Sequence, residues 1–199
     1  MAKFVTIGER LSTTAPAVNK AFMERDPEPI LKRAKQQLDA GAVYLDVNIG
    51  PADGYGEDLM KWAVQLLQSE FDNVPLALDT SNKAAIEAGI SVYNRSKGKP
   101  IVNSADAAGR IENIDLAAAN DAIVIALCNG EGIAADNDER MGYLTMLLEK
   151  RSGAWYGRNR YVVRSSVPGS KRNAGQTDGS PGIHQNDLRH GTELHRWSV

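Results

Sequence analysis

The chain has 199 residues, the size of one ordinary domain, with 42% apolar and 24% charged residues, as in a soluble globular protein. Its net charge of −2 offers no basic field for nucleic acid or an anionic membrane, no apolar run is long enough to span a bilayer, and MAKFVTIGER lacks the apolar stretch of a signal peptide. Cys128 is the single cysteine, so no internal disulfide can form and a cytoplasmic, reducing setting is expected. Within the apolar run AIVIALC it reads as a small buried hydrophobe and not as a nucleophile.

In chain order, FVTIG (Phe4 to Gly8) predicts a first strand. A helix is predicted from Asp26, an N-cap residue followed by Pro27, with Ile30, Leu31, Ala34 and Leu38 on one face and Gly41 as its stop. VYLDVNIG (Val43 to Gly50) predicts the second strand, and Leu59, Trp62, Ala63, Leu66 and Leu67 the face of the next helix. VPLALDT (Val74 to Thr80) is a third strand, followed after Ser81 by a helix carrying Ala85, Ile86 and Ile90. PIVNS (Pro100 to Ser104), a short helix around Ile114 to Ala119, AIVIALC (Ala122 to Cys128) and a helix from about Asp138 with Met141, Leu144 and Leu148 complete the series. The strand segments are short apolar runs, as expected for strands buried on both faces of a parallel sheet.

At Arg151 the pattern stops. Residues 151–199 are rich in Arg, Gly, Ser and Asn and show no period, so the chain divides into an ordered portion, 1–150, and a polar tail without native-like packing, 151–199. His184, His190 and His195 all fall in this tail, at a spacing that fits no metal motif, and no metal site is expected.

Strand–helix alternation means right-handed βαβ units in an α/β fold, either an open doubly wound sheet or a closed (β/α)₈ barrel. No G-x-G-x-x-G follows the first strand, which weakens a dinucleotide-binding reading. Instead, polar residues recur at the C-terminal end of strand after strand: Glu9 and Arg10, Asp46 and Asn48, Asp79 and Thr80, Asn103 and Ser104, then Asn129. Several strand ends supplying one polar ring is how a barrel builds its site. The plainer reading, that each polar residue caps the helix that follows, suits Ser81 and Asp138 best. It suits Glu9, Asp46, Asp79 and Asn103 less, because they lie within or directly after apolar runs. The ring is rich in carboxylates and amides and poor in cations, which suits a neutral heterocycle with donor and acceptor edges. A pterin's 2-amino-pyrimidinone edge can donate to a carboxylate such as Asp79, while an amide such as Asn103 both donates and accepts.

IGER, DPEPI, YLDVNIGPA, LALDTSNKAAIEAG and GKPIVNS, in this order, resemble the methyltetrahydrofolate:corrinoid/iron–sulfur protein methyltransferases and the folate domain of cobalamin-dependent methionine synthase. The resemblance runs from about Phe4 to Lys150. It implies a (β/α)₈ TIM barrel of the pterin-binding, dihydropteroate synthase-like type, here truncated to about five βα units plus an irregular tail. By resemblance, Glu9, Asp79 and Asn103 contact the pterin, Asp46 and Asn48 lie near the same pocket with Ser104, and Asn129 matches the loop after the fifth strand. The implied activity moves the N5-methyl group between methyltetrahydrofolate and a corrinoid (cobalamin) cofactor held by a partner corrinoid protein, and the intact family form is a homodimer. No catalytic acid is assigned, since the family works by positioning and electrostatics around N5. Two other readings remain: a dihydropteroate synthase-like enzyme, which should want Arg or Lys at strand ends to receive pyrophosphate where only Arg10 is on offer, and a non-catalytic pterin-binding module.

The resemblance also implies a sixth strand ending in D-P and a seventh ending in L-S-N, each supplying a pterin contact, and residues 151–199 contain neither. Written as codons with free wobble bases and read one base ahead, the same residues allow a stop-free reading with WFDPLF, the amphipathic stretch KQMEVLEFIKMI and the beginning of the L-S-N strand. A frameshift near Lys150 accounts for this. The coding DNA is therefore expected to spell WFDPLF in the frame one base ahead of the translated one; codons incompatible with that sequence, or stops in that frame, would rule the shift out.

Overall fold

The computed structural model describes residues 5–153 and two further strands, Tyr161–Arg164 and Leu194–Trp197. β1 (Val5–Ser12) leads into α1 (Pro16–Glu24) and α2 (Pro27–Asp39). Next come β2 (Tyr44–Asn48), α3 (Gly56–Glu70), β3 (Leu76–Asp79), α4 (Lys83–Ser91), β4 (Ile101–Asp106), α5 (Asn113–Ala119), β5 (Ile123–Leu127) and α6 (Asn137–Gly153). β6 (Tyr161–Arg164) and β7 (Leu194–Trp197) complete the order. β1 to β5 pair in parallel in sequential order, so each helical crossover returns the chain to the next strand position. These are the five βα units that the sequence predicts.

Local chemistry explains most boundaries. The Asp26 carboxylate accepts from Glu28 N at 3.1 Å and Pro27 fills the first turn of α2, while Gly41 ends it at φ +94°. Two expected caps are displaced. Asn82, not Ser81, caps α4 by accepting from Ala85 N at 3.3 Å. Asp136, not Asp138, accepts from Glu139 N at 2.8 Å at the start of α6. Ser81 and Asp138 each miss because a residue one or two positions earlier or later already holds the orphan amides. α1 is absent from the sequence reading, although Pro16 opens it and Val18, Ala21 and Phe22 form a short buried stripe. Phe22 meets Trp62 of α3 edge-on at 6.2 Å, and the Arg25 guanidinium lies 5.3 Å from the centre of the same indole ring.

The two faces of the sheet differ. Leu45, Val47, Leu76, Leu78, Val102, Ala105, Val124 and Ala126 point to one side, where they share a core with residues of α1 to α6 such as Phe22, Ile30, Met60, Leu67, Ile86, Ile114 and Leu147. Ile7, Tyr44, Ala77, Ile101 and Ile125 form a second, smaller cluster contributed by strands alone. This helix-free side corresponds to the interior of a (β/α)₈ barrel, whose helices ring the outside.

Five units alone would leave two open strand edges and an uncovered apolar interior. In the structure each of these edges gains one strand, so that the open edges become β6 and β7, and the strand-only face is buried. β6 pairs in parallel with β5, and β7 pairs antiparallel with β1, giving the order β6-β5-β4-β3-β2-β1-β7. Ile7, Ala77, Ile101 and Ile125 are buried. An unpaired edge presents a row of backbone donors and acceptors that recruits any extended segment within reach. In sequence, YVVR consists mostly of the aromatic and β-branched residue types that strands favour. This is also the stretch that the one-base-ahead reading turns into the WFDP strand. The expectation of an irregular tail thus gives way at these two strands and at residues 151–153, which end α6; residues 154–160, 165–193 and 198–199, with His184 and His190, lie outside the described residues.

Candidate functional site

Parallel register sets the geometry of the strand ends. Asn48 of β2 pairs with Asp79 of β3, and Asp79 pairs with Asn103 of β4, so the three form one row across neighbouring strands. Side chains alternate along a strand, which places Asn48, Asp79 and Asn103 on the same face as Tyr44, Ala77 and Ile101, the helix-free face. Asp46 lies two residues before Asn48 and shares that face.

Hydrogen bonds tie these residues into two carboxylate–amide pairs. Asn48 Nδ2 donates to Asp79 Oδ2 at 2.6 Å, and its Oδ1 accepts from Gly50 N at 3.0 Å, which fixes the orientation of the amide. Asn103 Nδ2 donates to Asp46 Oδ1 at 2.8 Å. This second bond passes over β3, because β2 and β4 are not neighbours; Ala77, the in-register partner of Asp46, is small enough to leave room beneath it. Asp46 is 3% exposed, so its charge is held by built contacts and not by bulk water. A carboxylate accepts several bonds at once, so the pairing with Asn48 is compatible with Asp79 also receiving donors from a ligand.

Two bulges stand beside this row. In β1, Gly8 pairs with Leu45 but Leu11 with Val47, so Glu9 and Arg10 occupy a stretch with one residue more than its partner strand. The buried Gln37 of α2 holds this bulge, its Oε1 accepting from Arg10 N at 2.7 Å. A Cβ on Gly8 would stand 2.7 Å from the same oxygen, so the bulge requires glycine there. In β4, Asn103 pairs with Ile125 and Ala105 with Ala126, leaving Ser104 as the extra residue. Ser104 is buried and its carbonyl accepts from Asn113 Nδ2 at 2.9 Å. Asn129 follows β5, where its carbonyl accepts from Ala107 N at 2.9 Å and so joins the β5 loop to the β4 loop. The site residues expected from sequence therefore sort into a joined group of Asp46, Asn48, Asp79 and Asn103, two bulge positions at Glu9 and Ser104, and a loop position at Asn129.

The loops behind the row are also tied down. Thr80 Oγ1 donates to the Gly50 carbonyl at 2.5 Å and accepts from Asn82 N at 3.0 Å, linking the β2 and β3 loops. Beyond Asn103, Asp106 pairs with Leu127, a residue packed on the helix-free face, so Asp106 points to that face as well. Its Oδ1 accepts from Ala108 N at 3.1 Å and Arg110 N at 2.9 Å, and its Oδ2 accepts from Arg110 Nε at 2.7 Å. Burial pushes the Asp106 carboxyl up, but the bonds from Arg110 and Ala108 outweigh it and hold the group below the ordinary carboxylate value.

Gln37 and the Asp106–Arg110 pair are missing from the sequence reading. Gln37 had a signal, a polar residue on the buried face of an amphipathic helix. Asp106 had none, because the bulge at Ser104 that turns it inward is invisible in the sequence. A cleft of about 570 Å³ lies elsewhere, between α5 and α6, lined by Ile111, Asp115, Met146, Glu149 and Lys150. There Lys150 bridges Glu112 at 3.2 Å and Asp115 at 2.6 Å. Among the described residues no three His, Cys, Asp or Glu side chains converge as metal ligands, and no helix is long and apolar enough to cross a membrane.

The family described as pterin binding enzyme matches residues 8–168, past the Lys150 limit of the resemblance seen in the sequence. The methylcorrinoid:tetrahydrofolate methyltransferase of Eubacterium limosum is 29% identical over 151 residues, covering 73% of this chain and 54% of that protein. The chain thus spans about half the length of this curated relative. Among solved structures, the 7,8-dihydropteroate synthase of Vibrio fischeri superposes with a TM-score of 0.60 at 14% identity, over 83% of this chain and 62% of that one. The Yersinia pestis DHPS, solved with a pterine-sulfa conjugate, gives 0.55 at 19% identity, over 79% and 56%. At such identities the likeness shows the fold, a portion of a pterin-binding barrel.

Because the folded value of Asp106 lies below the ordinary 3.8, ionisation favours the folded state. That stability is complete above about pH 4 and is lost as pH falls through the folded value. Asp106→Asn is expected to cost about 2–3 kcal/mol at pH 7 and progressively less as the pH approaches 3. Denaturant midpoints of both proteins across this range check it; a difference that is independent of pH would contradict it.

Proposed function

We propose, from the premise that the chain belongs to the pterin-binding enzyme family, that its strand-end row receives the pterin of methyltetrahydrofolate for methyl transfer to or from a corrinoid carried by a partner protein. The observation that carries this reading is the in-register row Asn48–Asp79–Asn103, with Asp46 behind it, on the helix-free face. A pterin edge presents an amino group and a ring N–H side by side. A carboxylate at Asp79 can accept from both, and the Asn103 amide can serve the neighbouring carbonyl and N–H. Glu9, Ser104 and Asn129 belong to the rim of the same proposed pocket. The similarity to the Eubacterium limosum methyltransferase favours the folate and corrinoid pair over other pterin chemistry.

When its carrier docks, the corrinoid supplies the metal centre that exchanges the methyl group. The work of this chain is to hold the pterin in one orientation, so that N5 and its methyl group face the open side, and to keep water from the ring edge. The D-P and L-S-N contacts that the resemblance implies are absent from residues 151–199. The chain is therefore expected to bind weakly or not at all and to be impaired in transfer, and the frame-restored form is the one in which transfer is to be measured. A cytoplasmic setting and a homodimer of the restored form complete the proposal.

In the frame-restored protein, Asp79→Ala should weaken methyltetrahydrofolate binding by about ten- to a hundredfold, the worth of one charge-assisted hydrogen bond or more. Asn103→Ala should cost less, since a neutral amide makes weaker bonds. Calorimetric titration measures both. Binding without methyl transfer to a corrinoid protein would mark a binding module instead of an enzyme. Unchanged affinity in Asp79→Ala, with the fold intact by circular dichroism, would reduce Asp79 to a structural partner of Asn48.

A further inference from the structure

The row that meets the pterin in the reading above is made of carboxylates and amides, yet a tetrahydrofolate is not neutral overall. Its p-aminobenzoyl-glutamate tail carries carboxylates, and a site that takes the whole molecule needs a cation at the mouth. One cation is built into this mouth. Asp106 is paired with Leu127, on the helix-free face, and because Ser104 is bulged it stands two residues of β5 beyond the Asn103–Ile125 pair, roughly 7 Å toward the C-terminal edge at about 3.3 Å per residue. Arg110 folds back over Asp106 and is fastened there twice, by its backbone N at 2.9 Å and by Nε at 2.7 Å. Its side chain is about a third exposed. Asp106 engages Nε of the guanidinium, which leaves the two terminal nitrogens with donors for the planar, two-pronged contact that matches a carboxylate.

Asp106 thus works as the anchor of Arg110. The carboxylate neutralises part of the arginine's charge but fixes its position, so little side-chain entropy remains to be lost when an anion arrives. The loop is stiffened by the same residue, through the bond from Ala108 N at 3.1 Å. No other cation of the described chain is held in this way at the strand ends.

We propose, as an extension that rests on the folate reading, that Arg110 is a specificity-determining residue that binds a carboxylate of the folate tail, so that this site selects tail-bearing folates over bare tetrahydropterins. The pterin row then sets the orientation of the ring, and Arg110 sets which pterins are retained. The same guanidinium could instead receive the diphosphate of a dihydropterin diphosphate, the other anion that travels with a pterin, and the experiment separates the two.

The full chain is titrated by ligand-observed NMR with 5-methyltetrahydrofolate, with the tail-less 5-methyl-6-methyltetrahydropterin, and with inorganic pyrophosphate as competitor, in wild type, Arg110→Met and Arg110→Lys. The expected result is a wild-type preference of about tenfold for the tail-bearing ligand, eroded by salt. Arg110→Met should abolish this preference while leaving affinity for the tail-less pterin unchanged; Arg110→Lys should keep part of it. The tail-less ligand reports in every variant that the pterin row is intact, and the salt dependence of the wild type tests the charge contact without any substitution. Equal preference in wild type and Arg110→Met would overturn the role of Arg110 and leave the pterin pocket standing. Loss of pyrophosphate competition in Arg110→Met with the tail preference retained would assign the arginine to a diphosphate and overturn the proposal. Failure of both the wild type and its frame-restored form to bind either pterin would overturn the folate reading itself.

Discussion

Parallel register is the constraint on which the rest depends. In β2, β3 and β4, residues that pair across the sheet necessarily share a face and a height, and the pairs Asn48–Asp79 and Asp79–Asn103 join the last residues of β2 and β3 to the last regular position of β4 before its bulge. A slip of one residue in any of the three would turn its polar side chain into the helix-covered core. That core contains Leu78 and Val102 at the adjacent positions, so a slip would bury a charge or amide among hydrocarbon and expose a large aliphatic group at the same time. The apolar packing against α1 to α6 therefore enforces the alignment of the polar row. Stability and site geometry are two consequences of one alternation.

The sheet divides its duties by face. The helix-covered side carries the larger apolar cluster, whereas the other side carries five buried residues from strands alone and, above them, the polar row. Bulges at Glu9–Arg10 and at Ser104 interrupt the ladder in the C-terminal halves of β1 and β4, where a change of direction adds side chains to the site without disturbing the packed half. The bulge at Ser104 is what brings Asp106, and with it Arg110, round to the same side as Asn103. The strands β6 and β7 pair with β5 and β1, where a complete barrel would go on to close, and they become the edges of the sheet.

Much of this is legible in the residues. Asp79 and Asn103 stand out because each is polar at the end of an apolar run that must be a strand, and both lie in the row. Asp26, Pro27 and Gly41 mark the ends of α2 by rules that need no tertiary context. The failures have physical causes. α1 is only nine residues long and buries three, too few for its period to stand out beside that of α3. Ser81 and Asp138 are good caps by type, but the chain's entry angle gives the amides to Asn82 and to Asp136. The Asp46–Asn103 bond joins residues 57 apart in sequence and two strands apart in space, and only the assembled sheet can bring them together. The tail shows the converse: a polar, aperiodic composition hides YVVR, which pairs because an edge is waiting for it.

The central claim is that the strand-end row, and not the cleft between α5 and α6, is where a pterin sits. Amide chemical-shift mapping of the full chain during titration with methyltetrahydrofolate tests it directly. The account predicts shifts concentrated at Asp46–Gly50, Asp79–Asn82 and Asn103–Arg110, the segments joined by the two carboxylate–amide pairs and the Asp106 loop. Shifts confined to Ile111, Asp115 and Met146–Lys150, around the α5–α6 cleft, would contradict it.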